Sequence, residues 1–181
     1  MDKKTAENLK AAFAGESQAH MRYMSWADKA KQDGFPTVET LFNAISYAES
    51  IHAKSHFRVL KDEHGAAEST SGGAFGIGTT SENLKLAAEG ENYEITHMYP
   101  DFIKDAEAND EKAAIRSMNL ALEAEKSHEN LYLKAKEYTD QGKDADFEGI
   151  YVCEVCGYTH YGEMEDKCPI CKAPKDKYRT F

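Results

Sequence analysis

Residues 48–52, Ala48-Glu49-Ser50-Ile51-His52, and residues 124–128, Ala124-Glu125-Lys126-Ser127-His128, decide the reading of this chain. Both are Glu-x-x-His preceded by Ala. On a helix, positions i and i+3 are neighbours, so each carboxylate and its imidazole face one point. Each copy also has a partner upstream, Gly15-Glu16 for the first and Gly90-Glu91 for the second. The halves are offset by 75 residues at the Gly-Glu pairs and by 76 at the Glu-x-x-His copies. One Glu-x-x-His on a helix is usually surface decoration. Two copies with matching partners are a repeat of ligand spacing.

Helical periodicity surrounds these residues. Leu9, Phe13, His20, Tyr23 and Ala27 share one face; Leu41, Ile45 and Ala48 share another. Leu84, Ala87, Ile95 and Met98 form a third stripe, and Met118, Ala121, Leu122, Tyr132 and Ala135 a fourth. Asp33-Gly34-Phe35-Pro36 stops the first helix, and Thr37 is placed to cap the second. Gly65 reads as the end of the second helix, Ser81 as the cap of the third, Asn109-Asp110 as the third break and Gly142 as the end of the fourth. Pro100 falls inside the third pattern and should kink or break it. Four helices of about 28 residues, each roughly 42 Å long, result. Short turns join the first to the second and the third to the fourth; residues 65–80, with five Gly, make a long connection between the pairs. An all-α, ferritin-like four-helix bundle with one long crossover is expected over residues 1–140.

Carboxylates interrupt the apolar stripes. Glu16 sits in the first, Glu49 and His52 extend the second, Glu91 and Glu94 the third, Glu125 and His128 the fourth. No Lys or Arg lies on these stripes to neutralise them, and unpaired buried carboxylates are prohibitively costly. A cation must supply the charge. One Glu from each of two helices plus Glu-x-x-His from each of the other two is the carboxylate di-iron arrangement. Glu94 departs from the repeat, since its counterpart is Ala19, yet its phase aims it at the same point. Glu89 falls off the stripe. His20, His56 and His97 read as packed or supporting groups, and His64 and His160 as exposed.

The last 32 residues hold all four cysteines, Cys153-x-x-Cys156 and Cys168-x-x-Cys171. Two such pairs make a tetrahedral thiolate site, for zinc or iron as far as spacing goes. A di-iron cage beside it needs an electron supply and favours iron. A segment this short needs the metal to hold it together. Residues 141–149 read as a polar linker and 150–181 as a small metal-knuckle domain. The chain has a net charge of −10, which disfavours nucleic acid as a partner. No apolar run reaches a membrane span and no secretory h-region opens the sequence, so a cytoplasmic protein without a membrane partner is expected.

The segments AGESQAHMRY (14–23), AESIHAKSHF (48–57), EGENYEITHMYPDF (89–102), AEKSHE (124–129), CEVCGY and CPICKAP resemble rubrerythrins across nearly the whole chain. The resemblance implies a ferritin-like di-iron bundle followed by a rubredoxin-like Fe(Cys)4 domain. It places Glu16, Glu49, Glu91, Glu94, Glu125 and His128 on di-iron ligand positions, with Glu49 and Glu125 bridging. It makes His52 the ligand that exchanges with Glu94 as one iron changes redox state, and sets Tyr23 and Tyr99 beside the site. It implies reduction of hydrogen peroxide to water in oxidative-stress defence, with one Fe bound by Cys153, Cys156, Cys168 and Cys171. An external NAD(P)H-dependent reductase or a rubredoxin would feed electrons; no Gly-x-Gly-x-x-Gly is present to bind a dinucleotide. About twelve residues, roughly 18 Å of helix, separate His128 from the end of its helix. A head-to-tail homodimer is therefore expected to bring one chain's cysteines to the partner's irons. Ferroxidase or iron-handling chemistry, O2 reduction, and a zinc-ribbon interaction protein are the competing readings.

Overall fold

A computed structural model describes residues 1–181. Its long helices are α1 (Lys3–Asp33), α2 (Pro36–Val59), α3 (Thr80–Tyr93), α4 (Tyr99–Ala108) and α5 (Lys112–Thr139). A π-helical segment, Glu94–Met98, joins α3 to α4, so the two form one rod. The bundle therefore has four rods. α1 lies along α2, and the α3–α4 rod lies along α5.

Local chemistry sets the ends. Asp2 caps α1 by accepting from Thr5 N at 3.0 Å. Gly34, at φ +86°, closes α1 in the left-handed conformation that glycine tolerates. Pro36 opens α2, where a missing N–H costs nothing. Thr37 does not cap α2. Asp144 does so from far along the chain, accepting from Thr37 N at 2.8 Å and Val38 N at 3.3 Å. Thr79, not Ser81, caps α3, in a reciprocal box with Glu82. Ser81 instead donates to Asp140. α2 stops at Val59, ahead of Gly65, and α5 at Thr139, ahead of Gly142.

Pro100 does not break the third rod. The π turn just before it widens the backbone, with Tyr99 N bonded to Glu94 O. The helix continues past a residue that has no N–H to give.

Two apolar layers flank a polar one. Tyr23, Trp26, Phe42, Leu84 and Tyr132 lie in the larger layer. Leu9, Met98, Tyr99 and Met118 lie in the smaller. Beyond the bundle, β1 (Ile150–Cys153) is the centre of an antiparallel sheet between β2 (Thr159–Tyr161) and β3 (Tyr178–Thr180). Val152 faces Thr159 on one side and Arg179 on the other.

The connection before β1 is not a solvated spacer. Ala145 and Phe147 are buried in the larger apolar layer together with Ile150 and Val152. Phe147 stacks on Tyr161 with ring centroids 4.4 Å apart. The Arg179 guanidinium lies 4.4 Å over the Tyr47 ring of α2. Packing of this kind fixes the cysteine segment against its own bundle. No helix is long and apolar enough to cross a membrane.

Thr79→Ala and Asp144→Ala each remove a cap, and each should cost about 1 kcal/mol in denaturant unfolding of the iron-loaded protein. A loss indistinguishable from zero in Asp144→Ala would show that the linker does not hold α2.

Candidate metal centre

The bundle brings six of the seven expected ligands into two overlapping groups. Glu16, Glu49, His52 and Glu125 offer ligand atoms within 4.8 Å of one another, as do Glu49, Glu91, Glu125 and His128. Glu49 and Glu125 belong to both, which is the position of bridges. All six side chains are at most 2% exposed. Glu94 lies outside both groups and is half-buried. In this conformation His52, not Glu94, completes the group around Glu16.

The π segment explains why Glu94 has no counterpart. Glu91 follows Glu16 by 75 residues, but Tyr99 follows Tyr23 by 76. One extra residue enters between them, where the helix widens at Glu94–Met98. Insertion re-aims the turn and adds a carboxylate without disturbing the helix on either side. The two tyrosines cross between the halves. Tyr23 donates to Glu91 Oε1 at 2.7 Å, and Tyr99 donates to Glu16 Oε1. They hold the unshared carboxylates rather than the shared ones.

Both imidazoles turn Nδ1 inward. His52 Nδ1 lies 3.0 Å from Glu49 Oε2 and 2.8 Å from Glu125 Oε1; His128 Nδ1 lies 2.6 Å from Glu125 Oε2. Their outer nitrogens meet the cysteine segment. His52 Nε2 is 3.0 Å from Cys156 O, and His128 Nε2 is 3.1 Å from both Gly157 O and Thr159 Oγ1. A carbonyl only accepts, so these contacts place a hydrogen on Nε2 and leave Nδ1 available as a ligand.

The charges show that a cation fits. Burial and neighbouring carboxylates push Glu16, Glu91 and Glu94 well above the usual carboxylate range. Burial opposes charge on His128, but Glu125 and Glu49 outweigh it and lift the imidazole to about 9. His52 rises for the same reason. Glu125 is lowered despite its burial, chiefly by His52 and His128. Protons thus gather where positive charge is missing. Glu16 Oε2, Glu49 Oε1 and Glu125 Oε1 are buried without an aligned hydrogen bond. Orphan carboxylate oxygens beside two inward nitrogens, with no Lys or Arg among them, are a donor set for two metal ions.

The four cysteines converge as expected. Their sulfurs lie within 4.8 Å of one another and form no disulfide. Amides of Val155 and Cys156 point at Cys153, and those of Ile170 and Cys171 at Cys168. Cys153, Cys156 and Cys168 are buried, whereas Cys171 is partly exposed. The buried linker folds the knuckle back onto its own bundle, so one chain joins both centres.

His56 is fully buried, His20 clasps Ser46 at 2.8 Å, and His97 stacks on Tyr93 at the surface. His160 is not simply exposed; Tyr151, Tyr158 and Tyr178 surround it. Sequence reading missed Thr159 and Ser117, and the contact of the Gly157 carbonyl with His128. Only Ser117 left a signal, as a hydroxyl on the apolar stripe of Ala121, Ala124 and His128.

Residues 7–136 match the family described as rubrerythrin, and residues 151–179 match the rubrerythrin rubredoxin-like domain. Rubrerythrin-2 of Clostridium acetobutylicum is 42% identical over 98% of this chain and 96% of its own length. Nigerythrin of Nitratidesulfovibrio vulgaris is 36% identical over 98% of this chain and 86% of its own length. The structure of fully reduced, all-ferrous nigerythrin superposes with a TM-score of 0.89 at 35% identity, covering 100% of this chain and 88% of that one. Reduced symerythrin from Cyanophora paradoxa, at 20% identity and a TM-score of 0.64, shares the fold. With the carboxylate and histidine groups of a di-iron site in its bundle and a four-cysteine iron knuckle docked on them, the chain belongs to the rubrerythrin family.

Proposed function

We propose that this protein reduces hydrogen peroxide to water as an oxidative-stress enzyme. The observation that carries the reading is the contact of the cysteine knuckle with both cluster imidazoles. A ferroxidase or iron store has no need of a reducing module placed there. The reaction consumes two electrons and two protons per peroxide and yields two waters.

Glu16, Glu49, His52 and Glu125 would hold one iron; Glu49, Glu91, Glu125 and His128 would hold the other. Glu94 is the alternative ligand to His52, supplied by the π turn. When bound, the iron pair supplies both electrons and Lewis acidity toward the peroxide oxygens. The protein does the rest. Tyr23 and Tyr99 fix the outer carboxylates, and the carbonyls of Cys156 and Gly157 fix the imidazoles. Glu94 lines a cavity of about 460 Å³ together with Arg22, Ser71, Gly90 and Tyr93. This is the entry we assign to peroxide, because it reaches Glu94, the one expected ligand residue that is not fully buried.

Cys153, Cys156, Cys168 and Cys171 would hold the third iron. Electrons would leave through the Cys156 backbone and its hydrogen bond to His52. An external NAD(P)H-dependent reductase or a rubredoxin would dock on the exposed Cys171 side. Where the chain forms a homodimer, a partner's knuckle would take over a contact that the chain's own knuckle makes here.

Stopped-flow mixing of the fully reduced protein tests the reading. Prompt reoxidation at about one peroxide per iron pair is expected, with a slower response to O2. Faster oxidation by O2 would favour oxidase or ferroxidase chemistry. His52→Leu should leave the bundle folded and slow peroxide reoxidation roughly 10- to 100-fold; an unchanged rate would refute the ligand-exchange role. Gly157→Ala tests the electron route. At φ +80°, a Cβ would overlap His52 Nε2, forcing the knuckle away. Steady-state turnover with an external donor should fall more than single-turnover reoxidation, and equal losses would place the electron path elsewhere.

A further inference from the structure

Four side chains outside the carboxylate cluster form a hydrogen-bonded file that ends on it. Ser55 Oγ lies 2.9 Å from Ser117 Oγ, and Ser117 Oγ lies 2.9 Å from His56 Nδ1. His56 Nε2 lies 3.0 Å from Tyr99 Oη, and Tyr99 donates to Glu16 Oε1. Ser55 is partly exposed between α2 and α5, while Ser117, His56 and Tyr99 are buried.

The direction of the file follows from its inner end. As a carboxylate, Glu16 only accepts, so the single Tyr99 hydrogen goes to it. Tyr99 Oη must then accept from His56 Nε2–H. No carboxylate hydrogen-bonds His56; the nearest, Glu16 Oε1, is 4.0 Å away. Fully buried and without an acidic hydrogen-bond partner, the ring is neutral. Nδ1 is therefore bare and accepts from Ser117, which in turn accepts from Ser55. Every donor points inward.

The fold does not require this file. At the repeat offset of 76, the counterparts of Ser55, His56 and Ser117 are Leu131, Tyr132 and Leu41. All three are buried, and the Tyr132 hydroxyl has no partner. The same packing problem is solved with two leucines and a tyrosine at the Glu91 end of the cluster and with a continuous polar chain at the Glu16 end. Only the Glu16 side of the cluster has a route to water through side chains of this kind.

We propose that Ser55, Ser117, His56 and Tyr99 relay protons from solvent to Glu16, supplying those that peroxide reduction consumes. The proposal rests on the peroxide reading above. For each proton delivered, Ser55 Oγ takes one from water and passes its own to Ser117. Ser117 protonates His56 Nδ1, His56 Nε2–H passes to Tyr99 Oη, and the Tyr99 hydrogen passes to Glu16 Oε1. One O–H or N–H bond forms for each that breaks, and no electron moves along the file. Glu16 passes the proton on to a peroxide oxygen, and rotation of the hydroxyls with tautomerisation of the imidazole from Nδ1–H back to Nε2–H resets the file for the second proton.

Two measurements test the relay. Nitrogen-15 spectra of the zinc-substituted full chain should show His56 neutral, with its hydrogen on Nε2. A hydrogen on Nδ1 reverses the file and overturns the proposal. In the iron-loaded, fully reduced protein, Ser117→Ala should slow single-turnover reoxidation by peroxide at least about tenfold and raise the solvent deuterium isotope effect. Iron content and far-UV dichroism should stay as in the wild type, and Ser117→Thr, which keeps the hydroxyl, should restore the rate. If Ser117→Ala reacts at the wild-type rate, or Ser117→Thr is equally slow, the relay is wrong. A wild-type protein that peroxide does not oxidise overturns the functional reading itself, whereas a normal wild type with an indifferent Ser117→Ala overturns the relay alone.

Discussion

Buried negative charge is the constraint on which the rest of the structure depends. Glu16, Glu49, Glu91 and Glu125 are enclosed between two apolar layers, with Glu94 at their edge and no ammonium or guanidinium among them. A hydrophobic core of this size would tolerate one such group only with a full set of partners. Here the partners are two imidazoles and two phenols, which orient the carboxylates without balancing them. The bundle is therefore built around positive charge that its own side chains do not carry. Tyr23 and Tyr99, reaching across from opposite halves, keep the outer carboxylates from swinging into solvent.

Near-symmetry and its breakage carry different parts of the chemistry. The repeat supplies the shared bridges, the paired imidazoles and the crossed tyrosines. The departures are local. One residue inserted in the third rod makes the π turn and brings Glu94 to the edge of the site. Hydrogen-bonded polar residues line the Glu16 side at positions whose repeat counterparts are Leu131, Tyr132 and Leu41. A symmetric cage would treat its two ends alike; this one has a file of hydroxyls and an imidazole at the Glu16 end, and Tyr132 with leucines at the other.

Much of this was legible in the sequence, because helical periodicity and ligand spacing are local properties. The two Glu-x-x-His copies, the Gly-Glu partners and the cysteine pairs each span a few residues, and the fold gathers their carboxylates, imidazoles and sulfurs into clusters. What failed was long-range. The cap of α2 comes from Asp144, more than one hundred residues from Thr37, and no rule of adjacent residues could select it over Thr37. Residues 141–149 look like a polar spacer, yet Ala145 and Phe147 are buried. Their burial folds the cysteine segment back toward the carboxylate cluster, closer than the helix length and a polar linker imply. Pro100 reads as a kink or a break, but a π turn absorbs it and the rod continues.

The hold of the Cys156 and Gly157 carbonyls on the two histidines has a consequence for how such a protein can change over time. Those acceptors are main-chain atoms, so their position depends on the path of the knuckle backbone rather than on any side chain that substitution could replace. The two modules are mated parts, not beads on a string. Exchanging the C-terminal segment for an unrelated electron carrier of equal potential would leave both rings unanchored, and drift in either surface must be matched by the other.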